Sequence, residues 1–181
     1  MMDMRFALGK YGKHLWTRDL AKKIRGVLNK RLDELGAGAT LVIDVKGVEV
    51  FDFSFANELF GKTVLAMPNE HPGRFLVVEN LTDYTRENLG KALESLGLVM
   101  IEHRKDGLGL IGKFHPADQE TFAAIVASNE PISAGVLSKQ LGINLTAMNE
   151  RLSKLISLAL VRREIATSAA GREQYEYRVL S

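Results

Sequence analysis

The sequence predicts an α/β domain over residues 1–113 followed by a small α+β domain over residues 114–181. Three observations carry this reading. Up to about Gly112, compact β-branched runs alternate with amphipathic helical runs. From Phe114-His115-Pro116 the pattern changes to three helices in succession, and the chain closes on a polar, alternating hairpin. The boundary falls between Gly112 and Ala117.

Arg5 to Leu8 reads as a short strand, turned by Gly9 to Gly12, and Thr17 caps a helix in which Leu20, Ile24, Val27, Leu28, Leu32 and Leu35 recur at helical spacing. Gly36 and Gly38 end it. Leu41 to Val45 is a buried strand, with Val48, Val50 and Phe51 just after it, and a helix is expected from Ser54 to about Met67, stopped by Pro68. Phe75 to Val78 makes a second buried strand after the Pro72-Gly73 turn, and Thr85 to Leu96 a further helix ended by Gly97. Val99 to Ile101 and Leu108 to Ile111 form a hairpin across Lys105-Asp106-Gly107. In the second domain the expected helices run over 117–128, 133–141 and 144–158.

Composition bounds the function. The 181 residues are 46% hydrophobic and 25% charged, with 24 Lys+Arg against 22 Asp+Glu and no cysteine. A chain of this kind buries a core without staples, and disulfides, thiolate zinc sites and thiol nucleophiles are excluded. A cytoplasmic location fits, and neither a signal-peptide pattern nor an apolar run of about 18 residues is present to suggest export or membrane spanning. With a net charge of only +2, a grip on nucleic acid has to come from a local basic face.

In the second domain, Leu141-Gly142-Ile143-Asn144 joins two helices by a tight turn: Gly142 permits the backbone, Ile143 plugs the junction and Asn144 caps the next helix. Leu160 to Ile165 then alternates as a strand, Ala169-Ala170-Gly171-Arg172 makes a tip and Tyr175 to Val179 returns. The run from Ile132 to Ile143, with Met148 to Leu155 and Leu160-Val161-Arg162-Arg163, resembles the winged helix-turn-helix domains of bacterial transcriptional regulators. The resemblance implies DNA binding, with the helix from Asn144 in the major groove and the hairpin as the wing. On that geometry Thr146, Asn149 and Glu150 face bases, and Arg151, Lys154, Arg162, Arg163 and Arg172 face the phosphate backbone. Operator symmetry then implies a homodimer. Residues 116–181 nevertheless carry seven cations against seven carboxylates. Either the cations gather on one face, or the domain docks protein.

In the first domain the segment from Leu41 to Gly61, with Asp52-Phe53-Ser54 between strand and helix, resembles a STAS-like family of unassigned function related to anti-sigma-factor antagonists. The two resemblances together give an α/β STAS-like N-terminal domain followed by a small α+β winged helix-turn-helix domain. In antagonists of that kind a serine at the helix start is phosphorylated by a kinase of the GHKL ATPase fold, which switches binding. By position Asp52 and Ser54 match the aspartate and the phosphoacceptor, and Phe53 and Phe55 stand where the motif has small residues. The residues alone allow a simpler role, with Ser54 as the helix cap and both Phe rings in the core.

Other signals resolve against catalysis. Ala56 to Thr63 fits a loose Walker A pattern, but Phe55, Leu59, Phe60, Val64 and Met67 keep helical spacing, so a packed helix is expected. Gly107-Leu108-Gly109-Leu110-Ile111-Gly112 spells a dinucleotide fingerprint but falls in the expected hairpin. His14, His71, His103 and His115 lack metal-ligand spacing, and Asp44, Glu49, Asp52 and Glu58 are explained by solvation or capping. The expectation is a non-enzymatic bacterial regulator without cofactor or metal, whose first domain receives a signal or a protein partner and whose second binds DNA. The alternative is a protein-interaction adaptor that docks a GHKL-type ATPase.

Overall fold

The computed structural model describes residues 4–168 and 171–179. The chain divides into two compact units, Met1–Phe114 and His115–Ser181. The first is a mixed α/β unit with a mainly parallel sheet. Its strands are β1 (Met4–Ala7), β3 (Thr40–Asp44), β5 (Phe75–Glu79), β6 (Val99–Arg104) and β7 (Gly107–Gly112), in the order β1-β3-β5-β6-β7. All pairs are parallel except the closing β6–β7 hairpin, in which Ile101 faces Leu110. A second, two-residue ladder joins β2 (His14–Leu15) to β4 (Val50–Phe51) in parallel.

Helices α1 (Arg18–Glu34), α2 (Phe53–Ala56), α3 (Lys62–Glu70) and α4 (Asp83–Ser95) complete the unit. The helical spacing read in α1 is the spacing that buries Ile24, Leu28 and Leu32, which share one core with Phe55, Phe60 and Leu89 from the other helices and Leu41, Ile43 and Val78 from the sheet. Thr17 caps α1, as its hydroxyl accepts from the Leu20 amide at 3.3 Å.

Two expectations are corrected around α2 and α3. The helix begins at Phe53, because Asp52 rather than Ser54 is the cap: its carboxylate accepts from the Phe55 amide at 2.7 Å. Pro68 does not stop the next helix but lies exposed in its last turn, where a missing N–H costs a single i→i−4 bond. Between α2 and α3 the chain makes a π turn, Asn57–Gly61, so the Walker-like segment is continuous helix with no phosphate loop.

The dinucleotide-like glycines serve the hairpin. Gly109 lies under the Arg104 guanidinium, whose Cζ would be 2.9 Å from any Cβ placed there. Gly112 has φ +107°, and its Cβ would meet the Leu98 carbonyl oxygen at 2.4 Å.

The second unit contains α5 (Pro116–Ala127), α6 (Ala134–Leu141) and α7 (Leu145–Ser157), with β8 (Ile132–Ser133), β9 (Arg162–Thr167) and β10 (Glu173–Arg178) in an antiparallel sheet of order β8-β10-β9. Ser133 caps α6 at 3.4 Å and Asn144 caps α7 at 2.8 Å, and Gly142 between them takes the left-handed conformation at φ +66°. The first hairpin strand starts two residues later than the alternation suggested. Leu160 still donates to the Leu155 carbonyl, with Ala159 at φ +54°, and so closes α7 before β9 begins. Ala169 and Ala170 of the expected tip lie outside the described residues.

Gly112→Ala should destabilise the first unit by at least about 2 kcal/mol, since it adds both a forbidden φ and a backbone clash. Urea unfolding followed by fluorescence of Trp16, the single tryptophan, reads this unit alone. A midpoint unchanged from the parent chain contradicts the assignment.

Candidate functional site

The Asp52–Ser54 segment sits where β4 turns into α2. Asp52 donates its amide to the Leu15 carbonyl at 3.4 Å, which holds the corner against β2. Its side chain is committed to the cap, leaving Ser54 half-buried in the first turn, one position past the helix start. The two rings beside it divide. Phe55 is fully buried and stacks on Phe51 at 5.8 Å between centroids, whereas Phe53 is 39% exposed, so the core expectation holds for Phe55 alone. Trp16 follows β2 directly, and Tyr84 opens α4 beside Thr82, whose hydroxyl lies 3.4 Å from the Glu49 carbonyl. Trp16, Phe53 and Tyr84 are all exposed.

The nearby carboxylates have separate duties. Asp44 accepts from the Lys46 amide and the Asn80 side chain. Glu49 is exposed, and its hydrogen bonds from Lys13 and His14 hold it below the usual carboxylate range. Glu58 departs from the solvated role expected of it. It is 3% exposed and lies between Arg25 of α1 at 3.0 Å and Lys62 at 2.6 Å. Burial alone would raise its pKa, but the Lys62 hydrogen bond and the charges of Lys62 and Arg25 outweigh that and lower it.

At the carboxyl ends of β5 and β6 lies a cavity of about 700 Å³ lined by Glu79, Asn80, Asp83, Arg86, His103 and Arg104, among others. Open parallel sheets bind ligands at this end. Here the charges answer one another. Buried Glu79 receives Arg5 and, at 3.4 Å, His103, while buried Glu102 is gripped by Arg86 and Arg104, each at 2.7 Å. Sequence reading passed over this network. Its one signal was a carboxylate at the end of each apolar run, Glu79 and Glu102. Among the described residues no group of three or more His, Cys, Asp or Glu is placed to hold a metal ion, and no helix is long and apolar enough to cross a membrane.

In the second unit the base-facing candidates Thr146, Asn149 and Glu150 are exposed together on α7, opposite the buried Met148, Leu152 and Leu155. The five backbone-facing candidates separate. Arg151 turns to α5, 2.9 Å from Glu120, with weaker bonds to Ala117 and Thr121. Lys154 reaches Asp118 of the same helix at 2.5 Å. Arg162 is only 7% exposed at the foot of β9 and does not face outward as expected. Arg163 is exposed, with its guanidinium 4.4 Å from the Tyr175 ring centroid, and Arg172 is exposed beside the tip. Lys139 of α6, which the sequence reading had not singled out as a contact, is exposed as well.

No protein-family model matches the sequence, and no curated protein matches it. Among solved structures it is similar to a possible transcriptional regulator from Methanosarcina mazei Go1, at 20% identity and a TM-score of 0.34. The match covers 38% of this chain and 57% of that one, so the chain spans just over half of its neighbour's length.

Two predictions follow from the first unit. Asp52→Ala should cost about 1 kcal/mol and Ser54→Ala less than about 0.5, reversing the order expected if serine were the cap. Glu58→Gln should lower stability at neutral pH by about 3 kcal/mol. Because the folded-state pKa of Glu58 is depressed, its contribution is complete above the unfolded carboxylate value and fades as pH falls through the folded one. The variant should therefore lose less stability than the parent on acidification below about pH 5. Equal acid slopes in urea titrations of the two proteins contradict this.

Proposed function

We propose that the chain is a bacterial DNA-binding transcriptional regulator that acts as a homodimer. Its second unit is a winged helix-turn-helix, and its first a STAS-like domain that receives a signal or a protein partner. The observation that carries the reading is the geometry of α6 and α7. Two capped helices meet at a left-handed Gly142, the second offers Thr146, Asn149 and Glu150 on one exposed face, and a β9–β10 hairpin follows. Among the described residues Lys139, Arg163 and Arg172 are the exposed cations of this unit outside ion pairs, and so available to phosphates. Arg151 and Lys154 instead position α7 against α5.

A second reading has its own support. Val136 and Leu145 are 53% and 51% exposed on α6 and α7, and apolar side chains there suit a protein partner. In the first unit the exposed rings of Trp16, Phe53 and Tyr84 suit docking of a GHKL-type ATPase if the chain is an adaptor, Phe53 standing between Asp52 and Ser54 in the chain.

Selection of genomic DNA fragments by the purified chain near physiological salt separates the two. The regulator reading expects enriched palindromic sites. Replacing Arg163 and Arg172 by Ala should weaken binding and lower the slope of log K against log salt by about 2 per protomer. No enrichment, with stoichiometric capture of an ATPase, favours the adaptor.

A further inference from the structure

We propose that Glu150 makes the second unit select cytosine at one position of each DNA half-site, an inference that rests on the DNA-binding reading above. Glu150 and Lys154 are one helical turn apart, with the acid N-terminal to the base, the arrangement in which such pairs ordinarily form on a helix. They do not pair here. Lys154 is drawn to Asp118 at 2.5 Å, and the neighbouring Arg151 to Glu120 at 2.9 Å. Asp118 is itself fixed, only 5% exposed and receiving the His115 amide at 3.3 Å, so the lysine is held on the α5 side.

Among the described residues Glu150 is left without an ion pair, exposed on a face of α7 that it shares with the exposed Thr146, Asn149 and Ser153. Apart from Lys154, whose ammonium is held by Asp118, that face carries one carboxylate and no cation. Phosphates repel it, so the only attraction a duplex can offer Glu150 is a hydrogen-bond donor on a base edge. In the major groove guanine and thymine present acceptors. Adenine has an amino group beside the N7 acceptor, which a carboxylate cannot satisfy, whereas cytosine presents its N4 amino group with no acceptor of its own beside it. A carboxylate therefore favours cytosine over the other three bases. The amide of Asn149 carries both a donor and an acceptor and suits adenine instead.

The test is selection from a random duplex library by the full-length chain and by its Glu150→Gln variant. The substitution keeps the shape, removes the charge and supplies the donor and acceptor that match adenine. The parent motif should contain a fixed cytosine in each half-site. The variant should keep the rest of the motif and exchange that cytosine for adenine, with the preference between the two bases reversing by about tenfold or more. Glu150→Ala, which removes the repulsion without supplying a new reader, should lose preference at that position and bind random duplex more tightly than the parent. Identical motifs from parent and Gln variant overturn the Glu150 assignment and leave DNA binding standing. If the parent selects no motif at all, both readings fall.

Discussion

Two ion pairs between α5 and α7 govern what the second unit can present to a partner. Arg151 and Lys154 lie on the flank of α7 nearest α5, and each basic side chain reaches its own acid there, Glu120 and Asp118 respectively. Asp118 also closes the N-terminal box of α5 with His115, so the contact joins the cap of one helix to the flank of another. Such partly exposed pairs contribute little to stability singly. Their effect is directional: they fix the rotation of α7 about its axis, and with it the set of side chains left outward. The apolar stripe Met148, Leu152 and Leu155 sets the same rotation from beneath.

The first unit uses charge in a different way. Glu58, Glu79 and Glu102 are all nearly inaccessible, and each is held by two cationic or imidazole side chains from other parts of the unit or from its own helix or strand. Removing one partner of such a group leaves a buried charge uncompensated, which is costlier than any gain from forming the pair. These sites therefore specify an arrangement more than they stabilise it. Arg104 shows how far the requirement propagates. To reach Glu102 its guanidinium lies across β7, and the strand needs a glycine at position 109 beneath it. The middle glycine of a pattern that looks like a cofactor fingerprint is in this chain the imprint of an ion pair, and the last answers to the backbone.

The elements were legible where a local rule decides them. Thr17 and Asn144 cap the helices they were expected to cap, and the β-branched runs are the central strands, because capping and alternation depend on neighbours in sequence. What was not legible depended on tertiary partners. Asp52 and Ser54 are both good caps two residues apart, and only the corner fixed by Leu15 chooses between them. Arg162 and Arg163 look equivalent in the sequence, yet closure of α7 at Ala159 and Leu160 sets the strand so that the first is buried and the second exposed. The Glu79–Glu102 network was missed because its acids and bases come from β1, β5, β6 and α4, and nothing in their spacing announces that the sheet brings them together.

If the second unit binds DNA as proposed, its neutrality changes what recognition must rest on. Had all five expected cations faced the backbone, electrostatics alone would have dominated affinity. With Arg151 and Lys154 tied to α5 and Arg162 buried, three exposed cations per protomer remain outside ion pairs among the described residues, Lys139 having joined Arg163 and Arg172. Each phosphate neutralised on duplex DNA contributes roughly 0.9 to the salt slope, so a protomer supplies about 3 and a dimer about 5. Non-specific binding at that level is weak, and a single protomer gains little residence on random sequence. Useful affinity must then come from two sources that do not scale with charge: the second half-site engaged by a dimer, and hydrogen bonds to base edges from α7. Both raise the ratio of specific to non-specific binding, the quantity that matters when one operator competes with a whole genome. On this reading the missing positive charge is what makes discrimination by Asn149 and Glu150 effective, because an excess of phosphate-seeking cations would hold the protein on every sequence alike.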